Sequence, residues 1–235
     1  MSNAPLLNTD FMIKTFFASV KAIPVTLEIT LLSIILAVVP SYAIAMSRIR
    51  KRPLHSIGTV YVSFMRGTPI LLQILIVYSI LPGLLNSLVK KFVHSANIFD
   101  MNPIVYAIVV FTLNTIASLS EVFRSAMGTV DRGQYEAALS AGLSHTQAYV
   151  RIVIPQALVS ALPNICNLAV NLIKNTSLAF LMTVKDITAV AKIQASYGFD
   201  YIEAYLDIFA IYIIVCSVVQ VLFKIVEKKL RHRGF

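Results

Sequence analysis

The chain has 235 residues and a mass of 25.9 kDa; 57% of its residues are apolar and 13% charged, with a mean hydropathy of +0.78, whereas a soluble domain carries about a quarter charged residues. One water-soluble core is excluded, and so is an outer-membrane barrel, whose strands alternate apolar and polar residues over about ten positions, because the apolar runs here are continuous. The net charge of +9 is what loops rich in Lys and Arg give a membrane protein, so no nucleic-acid partner is expected.

Several apolar blocks approach twenty residues, the length a helix needs to cross a hydrocarbon layer of roughly 30 Å. The first predicted span runs from about Ala22 to Met46, with Glu28 near its start. No small-residue cleavage site follows a short apolar core, so a retained anchor is expected and not a removable signal peptide. The span stops at Arg48, Arg50, Lys51 and Arg52, each of which resists entering lipid by roughly 2.5 to 3.5 kcal/mol. A second span is predicted within about Ile57 to Leu85 and a third within about Asn102 to Ser120, joined by a polar connection carrying Lys90, Lys91, His94 and Asp100. The stretch from about Glu121 to Arg151 is too long and too polar for a simple turn. A fourth span from about Pro155 to Asn175, a mixed segment through Asp200 and a fifth span from about Ala204 to Val226 complete the chain, with Lys228, Lys229, Arg231 and Arg233 in the tail. The expected fold is a single all-α membrane domain over residues 1–235, with five transmembrane helices and no internal repeat.

Five spans put the termini on opposite sides. If the tail is inside, the inner side carries Arg48, Arg50, Lys51, Arg52, Arg66, Arg124, Arg132, Arg151, Lys224, Lys228, Lys229, Arg231 and Arg233, and the outer side Lys14, Lys21, Lys90, Lys91, Lys185 and Lys192. Thirteen cations against six predict an external amino terminus and a cytoplasmic loop over about 121–155. Cys166 and Cys216 lie in apolar segments without metal or redox spacing, and His55, His94, His145 and His232 are scattered, so neither chemistry is expected.

Within the cytoplasmic loop, Gly133 to Gly142 contains good helix formers closed by a glycine able to take the left-handed stop conformation. Ser144 with Gln147 forms a capping-box pattern that opens a second helical run, Ala148 to Ile154, before Pro155. The expectation is a helix-glycine-helix knuckle whose Ala137, Ala138 and Ala141 leave a smooth surface for close approach by another protein, with Glu136 supplying a charge for register. The alternative is an ordinary connection between helices.

The spacing Glu136-Ala137-Ala138, three residues, Gly142, nine residues, Ile152, one residue, Ile154-Pro155 resembles the EAA loop of the membrane subunits of bacterial ABC importers, with Ile154 where leucine is usual. Tyr61 followed by Arg66-Gly67-Thr68-Pro69-Ile70-Leu71-Leu72-Gln73, the pair Gly133-Gln134, and Lys174-Asn175-Thr176-Ser177-Leu178 are similar to permeases for polar amino acids. The resemblance covers about Ile23 to Lys229. It implies a type I ABC importer transmembrane domain whose segment Glu136 to Gly142 is the coupling helix docking on an ATPase. It further implies two ATPase subunits that hold the ATP and magnesium, a second permease subunit, self or paralogue, and an extracytoplasmic solute-binding protein. No cofactor and no enzyme activity are expected of this chain, which has no G-x-x-x-x-G-K-[ST] run.

Polar groups inside membrane helices tend to face a bundle interior or a wet cavity. Asn164, Asn167, Asn171 and Asn175 recur at helical spacing on the fourth span, Asn114, Ser118 and Glu121 share a face of the third, and Gln73 lies in the second. Two readings stand: a translocation path, with Asn171, Asn175, Thr176 and Ser177 in contact with substrate, or carboxamides bonded between helices as glue. Carboxamides offer both donors and acceptors to a zwitterion. Some relatives with cationic substrates carry an acid where Asn175 stands, which favours a neutral polar amino acid such as cystine or glutamine and leaves a basic one open. A secondary transporter driven by an ion gradient would want intramembrane acids and paired helix breaks, and an intramembrane enzyme a catalytic cluster.

Overall fold

The structure, a computed structural model, describes residues 7–50, 55–91 and 101–231. Ten α-helices follow one another among the described residues: α1 (Thr9–Val20), α2 (Ile23–Ile49), α3 (His55–Gly67), α4 (Ile70–Val89), α5 (Pro103–Met127), α6 (Arg132–Ser140), α7 (His145–Ala148), α8 (Ile154–Thr176), α9 (Ile187–Gly198) and α10 (Tyr201–Arg231). A π-turn over Tyr149–Val153 joins α7 to α8, and a 3-10 turn over Ala179–Met182 follows α8. Five segments are long and apolar enough to cross a membrane: Thr9–Ile49, Ile70–Val89, Pro103–Met127, His145–Thr176 and Tyr201–Leu230. Lys51, Arg52, His94, Asp100, His232 and Arg233 lie outside the described residues.

Contacts divide the chain into two units, and α2, α5, α8 and α10 each contribute residues to both. The first unit comprises the described residues of 1–33, 68–112 and 171–216. In it α1 packs on α9, and buried Ala191, Ala195 and Ala204 cluster with Phe11, Tyr201 and Ile208. Small side chains let these helices approach closely. Asn8 caps α1 by accepting the Phe11 N–H (3.1 Å), while its own N–H donates to Glu203 (3.1 Å).

The second unit comprises the described residues of 34–67, 113–170 and 217–231. Ala37 of α2 packs with Ile116 and Leu119 of α5, and the Ser41 hydroxyl donates to the Ile116 carbonyl at 3.1 Å. Seven positions further along α2, between Arg48 and Glu121, α2 and α5 meet again with nearly the same offset in sequence. The two helices therefore run parallel, as the first and third spans of an alternating bundle must. Gly58 of α3 sits so close to α2 that a Cβ there would lie 3.3 Å from Ile44 Cγ2.

The structure corrects four sequence-based expectations. The second predicted span is not one helix: it breaks between Gly67 and Ile70, where Pro69 takes an extended conformation (φ −60°, ψ 131°). Proline removes a backbone donor and disfavours helix at the residue before it. The third predicted span, α5, continues to Met127, so Glu121 is helical and does not begin the loop. The mixed segment before Asp200 contains α9, and α1 precedes the first predicted span. Both are short helices whose alternation of apolar and polar residues carries no long hydrophobic run.

Candidate functional site: the loop between α5 and α8 and a polar helix face

The region between α5 and α8 lies wholly within the second unit. Asp131 caps α6 by accepting the Gly133 N–H at 2.7 Å. The helix stops at Ala141, and Gly142 takes φ +85°. The Gly142 N–H then reaches the Leu139 carbonyl (3.0 Å) and the Leu143 N–H the Ala138 carbonyl (3.1 Å). This is the Schellman pattern, which satisfies two of the carbonyls a helix end leaves free. Ser144 and Gln147 form the expected capping box at the start of α7.

Downstream the helix does not continue regularly. The Ile154 N–H bonds the Tyr149 carbonyl, five residues back. Pro155 has no N–H for the Arg151 carbonyl, so the ladder widens by one residue through 149–153. The knuckle is held shut by side chains: the Tyr135 hydroxyl meets His145 Nδ1 at 2.8 Å, Tyr135 packs edge-on against Tyr149 at 5.1 Å, and Gln156 Nε2 donates to Gln134 Oε1 at 3.0 Å. Arg50 lies over the Tyr149 ring at 4.7 Å.

Glu136, Ala137, Ala141 and Gly142 are exposed, whereas Ala138 is buried. The outer surface of α6 is thus built from Ala137, Ala141 and Glu136, and Ala138 faces inward, which corrects the expectation of three surface alanines. A cavity of about 570 Å³ lies behind the loop, lined among others by Arg48, Arg124, Arg132, Tyr135 and Glu136. Glu121 accepts from Arg48 with one carboxylate oxygen and from Arg124 with the other (2.8 Å). Neither Arg48 nor Arg124 carries a motif that singles it out, and His145 is no stray residue. Only three-dimensional proximity reveals these partners.

On α8, Asn164, Asn167 and Asn171 are exposed and Asn175 is half-buried. Thr176 is buried, its hydroxyl donating to the Ile173 carbonyl at 2.6 Å, and Ser177 is half-buried. The four asparagines share one helical face by their spacing. Asn114 and Ser118 of α5 are half-buried. Gln73 is buried and donates to the Thr68 carbonyl (3.1 Å) and hydroxyl (2.8 Å), which steadies the start of α4 after Pro69. Arg66, Gly67 and Pro69 are exposed and Thr68 half-buried, so that motif marks the helix break itself. Among the described residues no group of three or more His, Cys, Asp or Glu is arranged to hold a metal.

Residues 29–232 match the family described as "Binding-protein-dependent transport system inner membrane component". The chain is 36% identical over 222 residues to the probable amino-acid permease protein YxeN of Bacillus subtilis (strain 168), covering 93% of this chain and 95% of that one. It is 35% identical over 222 residues to the L-cystine transport system permease protein TcyL of the same organism, covering 94% and 90%. Among solved structures it resembles an amino acid ABC transporter crystallised with histidines (TM-score 0.77, 27% identity, 93% of this chain and 96% of that one). It shares the fold of the membrane chain of the inward-facing MetNI methionine ABC transporter (TM-score 0.70, 14% identity, 91% and 96%).

Proposed function

Because the chain belongs to the family of inner-membrane components of binding-protein-dependent transport systems, we propose that it is the permease subunit of an ATP-driven importer for a polar amino acid. The observation that carries this reading is the exposed face of α6 with its Schellman stop at Gly142, a rigid, small-residue knob where the resemblance puts the ATPase contact. Amino acids as cargo are supported by the names of the relatives, and cystine by TcyL. The cation distribution supports a cytoplasmic position for α6 and an external amino terminus.

In this reading two ATPase subunits hold ATP and magnesium, a second permease chain completes the pathway, and an external binding protein delivers the substrate. Nucleotide-driven closure of the ATPases draws the α6 knobs together, and the spans rock between outward and inward openings. The exposed asparagines of α8 support a pathway role, since a carboxamide facing lipid is costly and one facing a wet cavity or a partner subunit is not. Glu136→Lys tests the assignment: the variant inserts normally but loses ATPase recruitment and uptake. Wild-type copurification of the ATPase with wild-type uptake would overturn it. An ion-gradient-driven carrier would instead keep transporting when ATP is depleted.

A further inference from the structure

Two cavities of the second unit adjoin where membrane-length segments end. The larger, about 570 Å³, is the one behind the loop, and its walls include Ile49 and Met127 beside Arg48, Arg124 and Arg132. Ile49 and Met127 are the last residues of the segments Thr9–Ile49 and Pro103–Met127, each able to cross a membrane. The cavity therefore sits at a boundary between hydrocarbon and water. The smaller, about 140 Å³, is a groove whose walls are all apolar or aromatic, Val38, Tyr42, Phe123 and Leu158 among them. Met127 lines both and joins them. Along α2, Val38 and Tyr42 precede Arg48, so the groove lies on the hydrocarbon side of the arginines. At 1.5 Å per residue Val38 stands roughly 16 Å deeper than Ile49.

The charges around the larger cavity do not cancel. Glu121 is shared between Arg48 and Arg124, Asp131 is occupied by the Gly133 N–H, and Glu136 is the remaining acid of the wall. Against these three carboxylates stand Arg48, Arg124, Arg132 and also Arg50, whose guanidinium lies over the wall residue Tyr149. Among the described residues one positive charge is left over. Arg132 is exposed and enters no ion pair there, and Arg124 is 47% exposed. A guanidinium with free N–H groups matches a phosphate in charge and in geometry. The groove is open as well: Val38, Tyr42 and Leu158 are 41%, 36% and 48% exposed.

We propose that cavity and groove together hold one phospholipid of single net negative charge. Its phosphate lies between Arg124 and Arg132, and an acyl chain runs along Met127 into the groove of Val38, Tyr42 and Leu158. Basic pockets between membrane helices take anionic headgroups, and the excess of one positive charge matches a headgroup whose phosphodiester is its only charge. A zwitterionic lipid would bring an ammonium among the arginines, and a soluble anion would leave the groove empty. The site stands on the geometry at the ends of α2 and α5 and holds without the importer reading, on whichever side of the membrane those ends lie.

The test is native mass spectrometry of the full-length chain in detergent, titrated with phosphatidylglycerol, phosphatidylethanolamine or phosphatidylcholine. The wild type is expected to retain one phosphatidylglycerol per chain, roughly tenfold more tightly than either zwitterionic lipid, and millimolar inorganic phosphate does not displace it. Arg124→Gln/Arg132→Gln weakens that binding roughly 25-fold, about a factor of five for each cation lost beside an anionic headgroup. Leu158→Trp, which fills the groove and leaves the arginines in place, weakens it roughly tenfold, about what two buried methylenes are worth. Arg151→Gln, which removes an exposed arginine outside both walls, keeps the wild-type affinity. Equal affinity for all three lipids overturns the proposal, as does wild-type binding by the double variant or by Leu158→Trp. Displacement by inorganic phosphate would make the cavity a site for a soluble anion, and a loss in Arg151→Gln equal to that of the double variant would reduce the effect to diffuse surface charge; both also overturn it.

Discussion

Arg48, at the end of α2, donates its guanidinium to Glu121 of α5, with only 14% and 16% of the two side chains exposed. Arg124 shares the same carboxylate from a position 47% exposed. Removing the acid leaves Arg48 enclosed without a counter-charge, whereas removing the outer arginine leaves the inner pair whole. Glu121→Ala should therefore destabilise the protein by about 3 kcal/mol, and Arg124→Ala by less than about 1 kcal/mol. Denaturation in detergent measures both, and equal losses would refute the ranking.

Gly142 has no heavy atom within 4 Å of where a Cβ would stand, and its φ is +85°. Gly142→Ala therefore adds no clash, only backbone strain of about 1 kcal/mol. The expected outcome is a permease that folds and inserts but binds its ATPase more weakly, because the loss falls on the end of α6. Wild-type affinity for the ATPase in a pull-down titration would show that the stop conformation is dispensable.

Asn171 is exposed and Asn175 half-buried on the α8 face. Replacing either by Leu is expected to lower uptake at limiting substrate about tenfold, the worth of one or two hydrogen bonds, without loss of expression. Reduced expression together with unchanged uptake per transporter would identify these residues as packing groups.

Asp186 caps α9 from a buried position, and burial raises its pKa to about 6 from the ordinary carboxylate value of 3.8. The folded state thus holds the proton more tightly than the unfolded chain. Stability from this group is present at low pH and is lost as pH rises through about 6. Asparagine keeps the cap but cannot ionise. Between pH 7.5 and 5, the wild type should gain about 1 kcal/mol relative to Asp186→Asn, read as diverging melting temperatures. Parallel curves for the two proteins would contradict the assignment.

Composition and hydropathy carried most of the fold, since lipid leaves helices as the available solution for continuous apolar runs. The Gly142 stop and the Ser144 box were also legible, because caps are local chemistry that needs no distant partner. The break at Thr68-Pro69 is masked in the sequence by the apolar runs on both sides, which together suggest one span. The inward turn of Ala138 and the attachment of Glu121 to Arg48 depend on which neighbour arrives from far along the chain. Spacing alone does not encode that.

The widened turn at 149–153 leaves one residue of slack between α6 and the asparagine face of α8. Each residue of regular helix turns the following side chains by about 100°, and the bulge absorbs one such step. Shortening this stretch by one residue would return the ladder to regular pitch with little rotation of the asparagine face, so the joint tolerates a change in length that would disorient the faces of an unbroken helix.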